Sequence, residues 1–214
     1  MKATSKLMRR LVPILLALAV AGCSGLLHSN TPAVQVYTLQ PPSVASDNAA
    51  GQAVPGDASL RVAHPRPEAG LDTSQIVLLQ SDHRLNVYAA SAWAADAPVL
   101  LESLAVATLR ESGHWRSVQD SESPFPSDYL LQISVAHFDA DYSDDTNAPP
   151  TVQVTLNCAL GSAAGRDIIA TFVASGSAVA SANRLGDVVA AFQQATDAAM
   201  TSLAQQAAAA ARPR

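Results

Sequence analysis

The chain of 214 residues lacks the sequence motifs on which catalysis and metal binding commonly depend. It has two cysteines, and both lysines lie within the first six residues. Its five histidines are scattered, with no HExxH motif and no adjacent cysteine, so the spacing of a zinc site is missing. Glycine-rich phosphate loops and a Gly-x-Ser-x-Gly nucleophile turn are missing as well. The sequence therefore predicts no enzyme, no catalytic residues, no metal site and no cofactor.

Long apolar runs are also scarce, and the one that stands out lies near the N-terminus. Residues 1–10 carry four basic side chains and no acid, and residues 11–21 are apolar apart from Pro13. This combination is typical of a bacterial export signal. A membrane-spanning helix is the alternative, but it needs about 20 apolar residues. We expect residues 1–22 to be a signal peptide.

The expected signal ends at a cysteine. Val20-Ala21-Gly22-Cys23 resembles a lipobox, the site at which bacterial lipoproteins are cleaved before a lipid-modified cysteine. The alternatives are an ordinary signal with an incidental cysteine, and a disulfide between Cys23 and Cys158 in an oxidising compartment. The position of the cysteine favours lipid attachment at Cys23. Ser24 stands where an aspartate retains lipoproteins in the inner membrane of enteric bacteria, which favours the outer membrane.

Removal of the signal leaves a strongly acidic chain. Four of the 13 basic residues lie in the signal, which leaves nine arginines against 18 acidic residues and a formal charge of −9. No nucleic acid partner is expected, because nucleic acid binding depends on neutralising phosphates. Anionic lipid head groups would repel the chain too, so we expect acyl chains to hold it at the membrane.

The composition after Cys23 predicts one domain on a short tether. Residues 23–33 are small and polar and predict a lipid-anchored tether, of which ten residues span at most about 33–36 Å. Residues 34–206 predict a single domain with a flexible loop at about 40–58, rich in Pro, Ala, Ser and Gly. Residues 207–214 are expected to fray.

Residue periodicity predicts a mixed α/β fold. Strands are expected at 34–39, 60–63, 74–80, 84–88, 128–138, 151–160 and 167–177. The period of two in TVQVTLNCAL places Cys158 on the apolar face, as a small buried residue. Helices are expected at 97–111, with Asp96 as N-cap and an end at Gly113, and at 185–208. The predicted fold class is a mixed, largely antiparallel sheet with two main amphipathic helices packed on it.

Two short segments between the later strands are interpreted as hairpin connections. The acidic segment at 139–150 lacks the glycine at position six and the glutamate at position twelve of an EF-hand loop. We interpret it as a solvated hairpin tip, with a weak calcium site or a partner contact as alternatives. GSAAG at 161–165 is interpreted as a second hairpin connection.

The order and spacing of these segments over roughly residues 34–205 resemble the ABC-type transport auxiliary lipoproteins. The residues that carry the resemblance are VYTL at 36–39, Gly70, Leu71, Asp72, Ile76, Tyr88, Trp93, the helix from Ala97, DYLLQISVAHFDAD and VQVTLNCAL. The resemblance implies a non-enzymatic outer-membrane partner of MCE-type transport systems, which move lipids or other hydrophobic compounds between the two membranes. It implies a periplasm-facing protein that docks the MCE-domain periplasmic protein; a homo-oligomer is compatible with it.

Three residues are candidates for contact with such a partner. Tyr37 and Leu39 lie near the tether, where an edge strand would accept a partner strand. Trp93 is interpreted as a packing residue, with an exposed indole that contacts the partner or lipid as the alternative. Asp72 is interpreted as a turn former. The alternative function is a stand-alone envelope lipoprotein that binds a small ligand or supports membrane integrity.

Overall fold

The computed structural model describes residues 33–43, 56–142 and 147–211. The expected signal, nearly all of the tether and most of the loop at 40–58 lie outside these residues. Within them the chain forms β1 (Gln35–Tyr37), β2 (Ser59–Val62), β3 (Arg66–Pro67), β4 (Gln75–Gln80), β5 (Leu85–Trp93), α1 (Ala97–Glu111), β6 (Ser117–Gln119), β7 (Tyr129–Tyr142), β8 (Thr151–Ser162), β9 (Ile168–Val179) and α2 (Leu185–Ala211).

The long strand β7 organises one sheet. Along one edge it pairs antiparallel with β8, which pairs antiparallel with β9. Along its other edge, β2, β3 and β4 pair parallel with successive stretches of β7. The sheet is extended by β6 beside β2, and by β5 and then β1 beside β4. The longest pairings are antiparallel and the short ones are mostly parallel, so the predicted mixed, largely antiparallel fold is confirmed.

The alternation of residue types along the strands determines which face of the sheet the helices cover. In β8, Val152, Val154, Leu156, Cys158 and Leu160 are all buried, as predicted. Helix α2 packs on this face, here called the inner face, and α1 packs against α2 and β2. The opposite face, here called the outer face, carries more polar side chains. Burial raises the pKa of the Cys158 thiol to about 12, so it is a packing residue and no nucleophile.

The predicted limits of α1 are confirmed, and those of α2 need one correction. Pro98 occupies the first turn of α1, and Gly113, with a φ of +67°, follows its end. Asp96 is the N-cap residue, but its side chain makes no capping hydrogen bond. Helix α2 continues to Ala211, so the expected fraying is wrong for 207–211. The reason is that Ala207 and Ala208 are buried.

Small residues let α2 lie close to the sheet. A Cβ atom on Gly176 of β9 would overlap the Ala195 carbonyl oxygen of α2 and stand 2.9 Å from the Ala198 Cβ atom. The alanines of α2 on the buried side supply the matching surface. The helix and the strand therefore meet at a point where a methyl group does not fit.

Gly176→Ala is expected to lower the free energy of unfolding by about 1–3 kcal/mol, because the helix must shift to admit the methyl group. Urea denaturation measures the change. Gly186→Ala is the matched control, since a Cβ there meets no atom of the described residues within 4 Å. In the first turn of α2 alanine is expected to be neutral or stabilising by up to about 1 kcal/mol. Equal effects of the two substitutions would contradict this account of the packing.

Several predicted elements differ from the observed ones. Strands β3 and β6 were not predicted, and β5 continues to Trp93. The interpretation of 139–150 as a solvated tip is wrong for 139–142, which belong to β7. Asp139 is 4% exposed, and its Oδ1 atom lies 3.3 Å from the His137 Nδ1 atom. Burial raises the pKa of Asp139 above its ordinary value. Residues 143–146 lie outside the described residues.

The connection at GSAAG is confirmed. The Ser162 amide donates to the Asp167 carbonyl oxygen at 2.9 Å, and the Arg166 amide donates to the Ser162 carbonyl oxygen at the same distance. Arg166 has a φ of +55°, which closes the turn between β8 and β9.

Candidate functional site

Strand β1 forms an edge of the sheet beside β5. Its register aligns Gln35 with Ser91, Val36 with Ala92 and Tyr37 with Trp93. The Tyr37 carbonyl oxygen accepts a hydrogen bond from the Ala94 amide at 2.7 Å. Backbone groups of successive strand residues point to opposite edges, so the N–H and C=O groups of Val36 point away from β5. In the part of the chain that the structure describes, nothing pairs with this outer edge of β1.

The side chains of β1 and the residues after it divide into exposed and buried ones. Val34 is exposed, and Val36 is 65% exposed. Tyr37 is half-buried, and its hydroxyl donates to Gln35 Oε1 at 2.6 Å. Leu39 is 4% exposed and belongs to the core. Of the two residues predicted here as contacts, Tyr37 is at the surface, whereas Leu39 is not available to a partner. Sequence reasoning missed Val36, the apolar side chain that the edge presents most openly.

Reciprocal amide hydrogen bonds hold the chain after β1 against α2. The Gln40 amide donates to Gln193 Oε1 at 2.9 Å, and Gln193 Nε2 donates to the Gln40 carbonyl oxygen at 2.8 Å. The same Nε2 atom donates to Asp197 Oδ1 at 2.7 Å. These bonds fix the position of β1 at the edge. They were not predicted, because a glutamine on the polar side of a helix carries no signal for a partner 153 positions away.

An aromatic cluster lies beneath β1 and β5. Trp93 is 2% exposed, and its ring centroid lies 5.5 Å from that of Phe138 and 5.1 Å from that of Phe192. Phe138 and Phe192 are themselves 5.1 Å apart. The interpretation of Trp93 as a packing residue is therefore confirmed. The alternative, an exposed indole in contact with a partner, is wrong because β7 and α2 cover the ring.

The Gly70–Ser74 turn connects this cluster to α1. Gly70 has a φ of +91°, which favours glycine, and Leu71 is buried. The Ser74 carbonyl oxygen accepts a hydrogen bond from the Trp93 amide at 2.7 Å, and the Thr73 carbonyl oxygen accepts one from the Ala97 amide at 3.0 Å. The side-chain hydrogen bond in the turn is made by Thr73, whose Oγ1 accepts from the Gln75 amide at 3.1 Å. The role predicted for Asp72 thus belongs to Thr73.

The titratable pair His64 and Glu102 is the described cluster that most resembles a catalytic site, but its hydrogen bonds hold a loop in place. His64 Nδ1 lies 2.8 Å from Glu102 Oε2, and the Ser121 amide donates to Glu102 Oε1 at 2.8 Å. Burial alone would raise the pKa of Glu102, but the hydrogen bonds from Ser121 and His64 lower it below its ordinary value. The carboxylate thus joins α1 to the loop after β6. Within the described ranges no three His, Cys, Asp or Glu side chains are grouped to hold a metal ion.

The open edge of β1 is thus the described feature that most resembles an interaction site. A family model described as "ABC-type transport auxiliary lipoprotein component" matches residues 37–208, from the end of β1 into the last turns of α2. The chain belongs to this family of ABC-type transport auxiliary lipoproteins. As a family member it is a membrane-anchored envelope protein associated with an ABC transport system, which points to a non-enzymatic role. None of the described helices is long and apolar enough to cross a membrane.

Two solved structures have a similar fold. The chain is similar to protein XCC0632 from Xanthomonas campestris, of the DUF330 family, with 26% identity and a TM-score of 0.71 over 82% of this chain and 96% of that one. It is also similar to a crystallised uncharacterized protein, with 16% identity and a TM-score of 0.59 over 82% of this chain and 99% of that one. No curated protein matches it.

Proposed function

We propose that this auxiliary lipoprotein is anchored in the outer membrane through Cys23 after removal of residues 1–22, and that it faces the periplasm. There it docks the MCE-domain periplasmic protein of an ABC transport system and receives lipid or other hydrophobic cargo moving between the membranes. The family supports a transport role. The lipobox residues 20–23 support the anchor, and Ser24 supports the outer membrane.

The observation that carries the docking proposal is the open edge of β1. The Val36 backbone groups point away from β5, and the Val36 side chain is exposed. An edge strand in this state can accept a strand from another protein, and the backbone hydrogen bonds then supply affinity. The tether at 23–33 is short, since ten extended residues span at most about 33–36 Å. Chain length alone therefore keeps β1 near the membrane, where a conduit from the inner membrane would arrive.

Val36→Pro is expected to reduce recovery of the MCE-domain protein by at least about tenfold, the effect of losing about 1.4 kcal/mol of binding free energy. Proline removes the outward N–H group but suits an edge strand, so the pairing of β1 with β5 is kept. Recovery is measured by crosslinking whole cells that carry a tagged chain, purifying the chain from the outer membrane, and quantifying its partners by mass spectrometry.

Val36→Thr is the matched control. Threonine keeps the backbone N–H group and the β-branched shape, so its recovery of the partner should equal that of the parent chain. Unchanged recovery with Val36→Pro in a folded chain would contradict docking through β1. Recovery of the parent lipoprotein alone, under conditions that capture other envelope complexes, would instead favour the stand-alone lipoprotein.

A further inference from the structure

A second candidate binding site lies at the N-terminal end of β7, on the outer face of the sheet. A groove of about 470 Å³ runs between the β8–β9 turn and the loop before β7. This volume is in the range of small-molecule sites, about 300–1,000 Å³. Its apolar surface comes from Leu130, Ala159 and Ile168, and Arg61 and Arg166 also line it. Ile168 and the nearby Phe125 are both strongly exposed.

The charge of this groove is opposite to that of the chain. Two arginines and one carboxylate, Asp167, line it, whereas acidic residues outnumber basic ones in the whole chain by 18 to 13. Neither Arg61 nor Arg166 has an ion-pair partner in the described ranges, although Arg84, Arg116 and Arg184 each pair with an aspartate. The groove therefore keeps uncompensated positive charge on an acidic protein.

Arg61 has an unused donor at this site. Its Nη2 atom donates to the Phe125 carbonyl oxygen, which holds the guanidinium in place. Its Nε atom is buried and has no hydrogen-bond partner among the described residues. A buried donor without a partner is costly and calls for an explanation. The Nε atom lies below the surface, so an anionic oxygen in the groove would meet the part of the Arg61 side chain that lines the groove.

We propose that this groove binds one lipid molecule with an anionic head group. The head group is held by Arg61 and Arg166, because guanidinium groups suit phosphate oxygens. One acyl chain lies along Leu130, Ala159 and Ile168. The combination of an apolar floor and two unpaired guanidinium groups favours an amphiphile over a free anion, which would leave the apolar surface in water.

This inference deepens the cargo-receiving part of the proposed function and rests on it, but it can fail separately. Leu130 and Ala140 are ten positions apart on β7, which corresponds to about 33 Å. The groove lies at the Leu130 end, whereas β4 pairs at the Ala140 end and leads through β5 to β1. Val36→Pro is therefore expected to leave lipid binding unchanged.

The test uses the lipidated protein that begins at Cys23, in phosphatidylcholine vesicles that contain a trace of phosphatidylglycerol with a photoreactive group at the end of one acyl chain. After illumination, mass spectrometry locates the label. We expect it on peptides that contain Leu130, Ala159 or Ile168, and at least about tenfold less label when the photoreactive lipid is phosphatidylcholine.

Arg61→Gln combined with Arg166→Gln is expected to lower the labelling at least about tenfold, because both charge-assisted contacts are lost. Arg66→Gln is the matched control for the single variant Arg166→Gln, because it removes one positive charge from an exposed position on β3, opposite Ser134, that does not line the groove. Arg166→Gln alone provides a second test in case the double variant does not fold, because Arg166 lies at an exposed turn position. We expect this single substitution to lower the labelling severalfold.

Three results would overturn the proposal: no label on these peptides, equal label from both lipids, or label unaffected by the double variant. Competition by inorganic phosphate distinguishes a lipid site from a site for free anions. If inorganic phosphate abolishes the labelling, the groove binds free anions in preference to the lipid, and this result would also overturn the proposal. Labelling that persists in phosphate supports the lipid.

Discussion

Replacement of Trp93 by alanine is expected to lower the free energy of unfolding by about 3–5 kcal/mol. The ring is 2% exposed and contacts both Phe138 on β7 and Phe192 on α2, so its loss leaves a cavity between the sheet and the helix. The adjacent Ala94 amide donates to the Tyr37 carbonyl oxygen. We therefore expect the variant also to loosen the pairing of β1 with β5.

Urea denaturation of the purified protein measures this effect. Trp93→Phe is the matched control, because it keeps an aromatic ring in the cluster and removes a buried indole N–H that has no hydrogen-bond partner among the residues the structure describes. Its loss of stability should be clearly smaller than that of Trp93→Ala. A change within about 1 kcal/mol for Trp93→Ala, the range of an average substitution, would contradict the central place of this ring in the core.

Cys23→Ser is expected to abolish lipid attachment completely. The hydroxyl group does not replace the thiol as the acceptor of the diacylglyceryl group, so neither lipid attachment nor the cleavage before residue 23 is expected. We expect no incorporation of labelled palmitate and an uncleaved precursor that keeps residues 1–22. Palmitate labelling in cells and the mass of the N-terminal peptide measure the two results.

The other cysteine supplies the control for this experiment. Cys158 is buried on the inner face of β8, and burial raises its pKa to about 12. Cys158→Ala should therefore leave palmitate incorporation and cleavage unchanged. Retained label in Cys23→Ser, or lost label in Cys158→Ala, would contradict Cys23 as the anchor.

Elements with a strong periodicity of their own were predictable from the sequence. The alternation along β8 and the helical spacing of α1 gave both elements within a few residues, because each buries a regular stripe of side chains. Strands β3 and β6 have two and three residues, and no pattern can mark them. They exist because β7 and β2 offer free edges, which is a property of the assembled sheet.

The burial of individual residues at and near the candidate site was not predictable from the sequence, for a similar reason. Apolar Val34 and Val36 alternate with Gln35, a pattern that on its own indicates a buried face, yet the edge position leaves both valines exposed. Acidic Asp139 indicates a solvated tip, yet β4 pairs alongside at Ala140 and extends the strand past it. In both places the neighbouring strands decide burial, and one strand's own residues do not encode its neighbours.

Docking through β1 is the central claim, and photocrosslinking from position 36 in living cells tests it most directly. A photoreactive amino acid replaces Val36 in one chain and Val179 in a control chain. Val179 is equally exposed, at 67% against 65%, but lies on β9 at the opposite edge of the sheet. We predict a crosslink to the MCE-domain protein from position 36 and none from position 179. Absence of that crosslink at position 36, or equal crosslinks from both positions, would contradict docking through this edge.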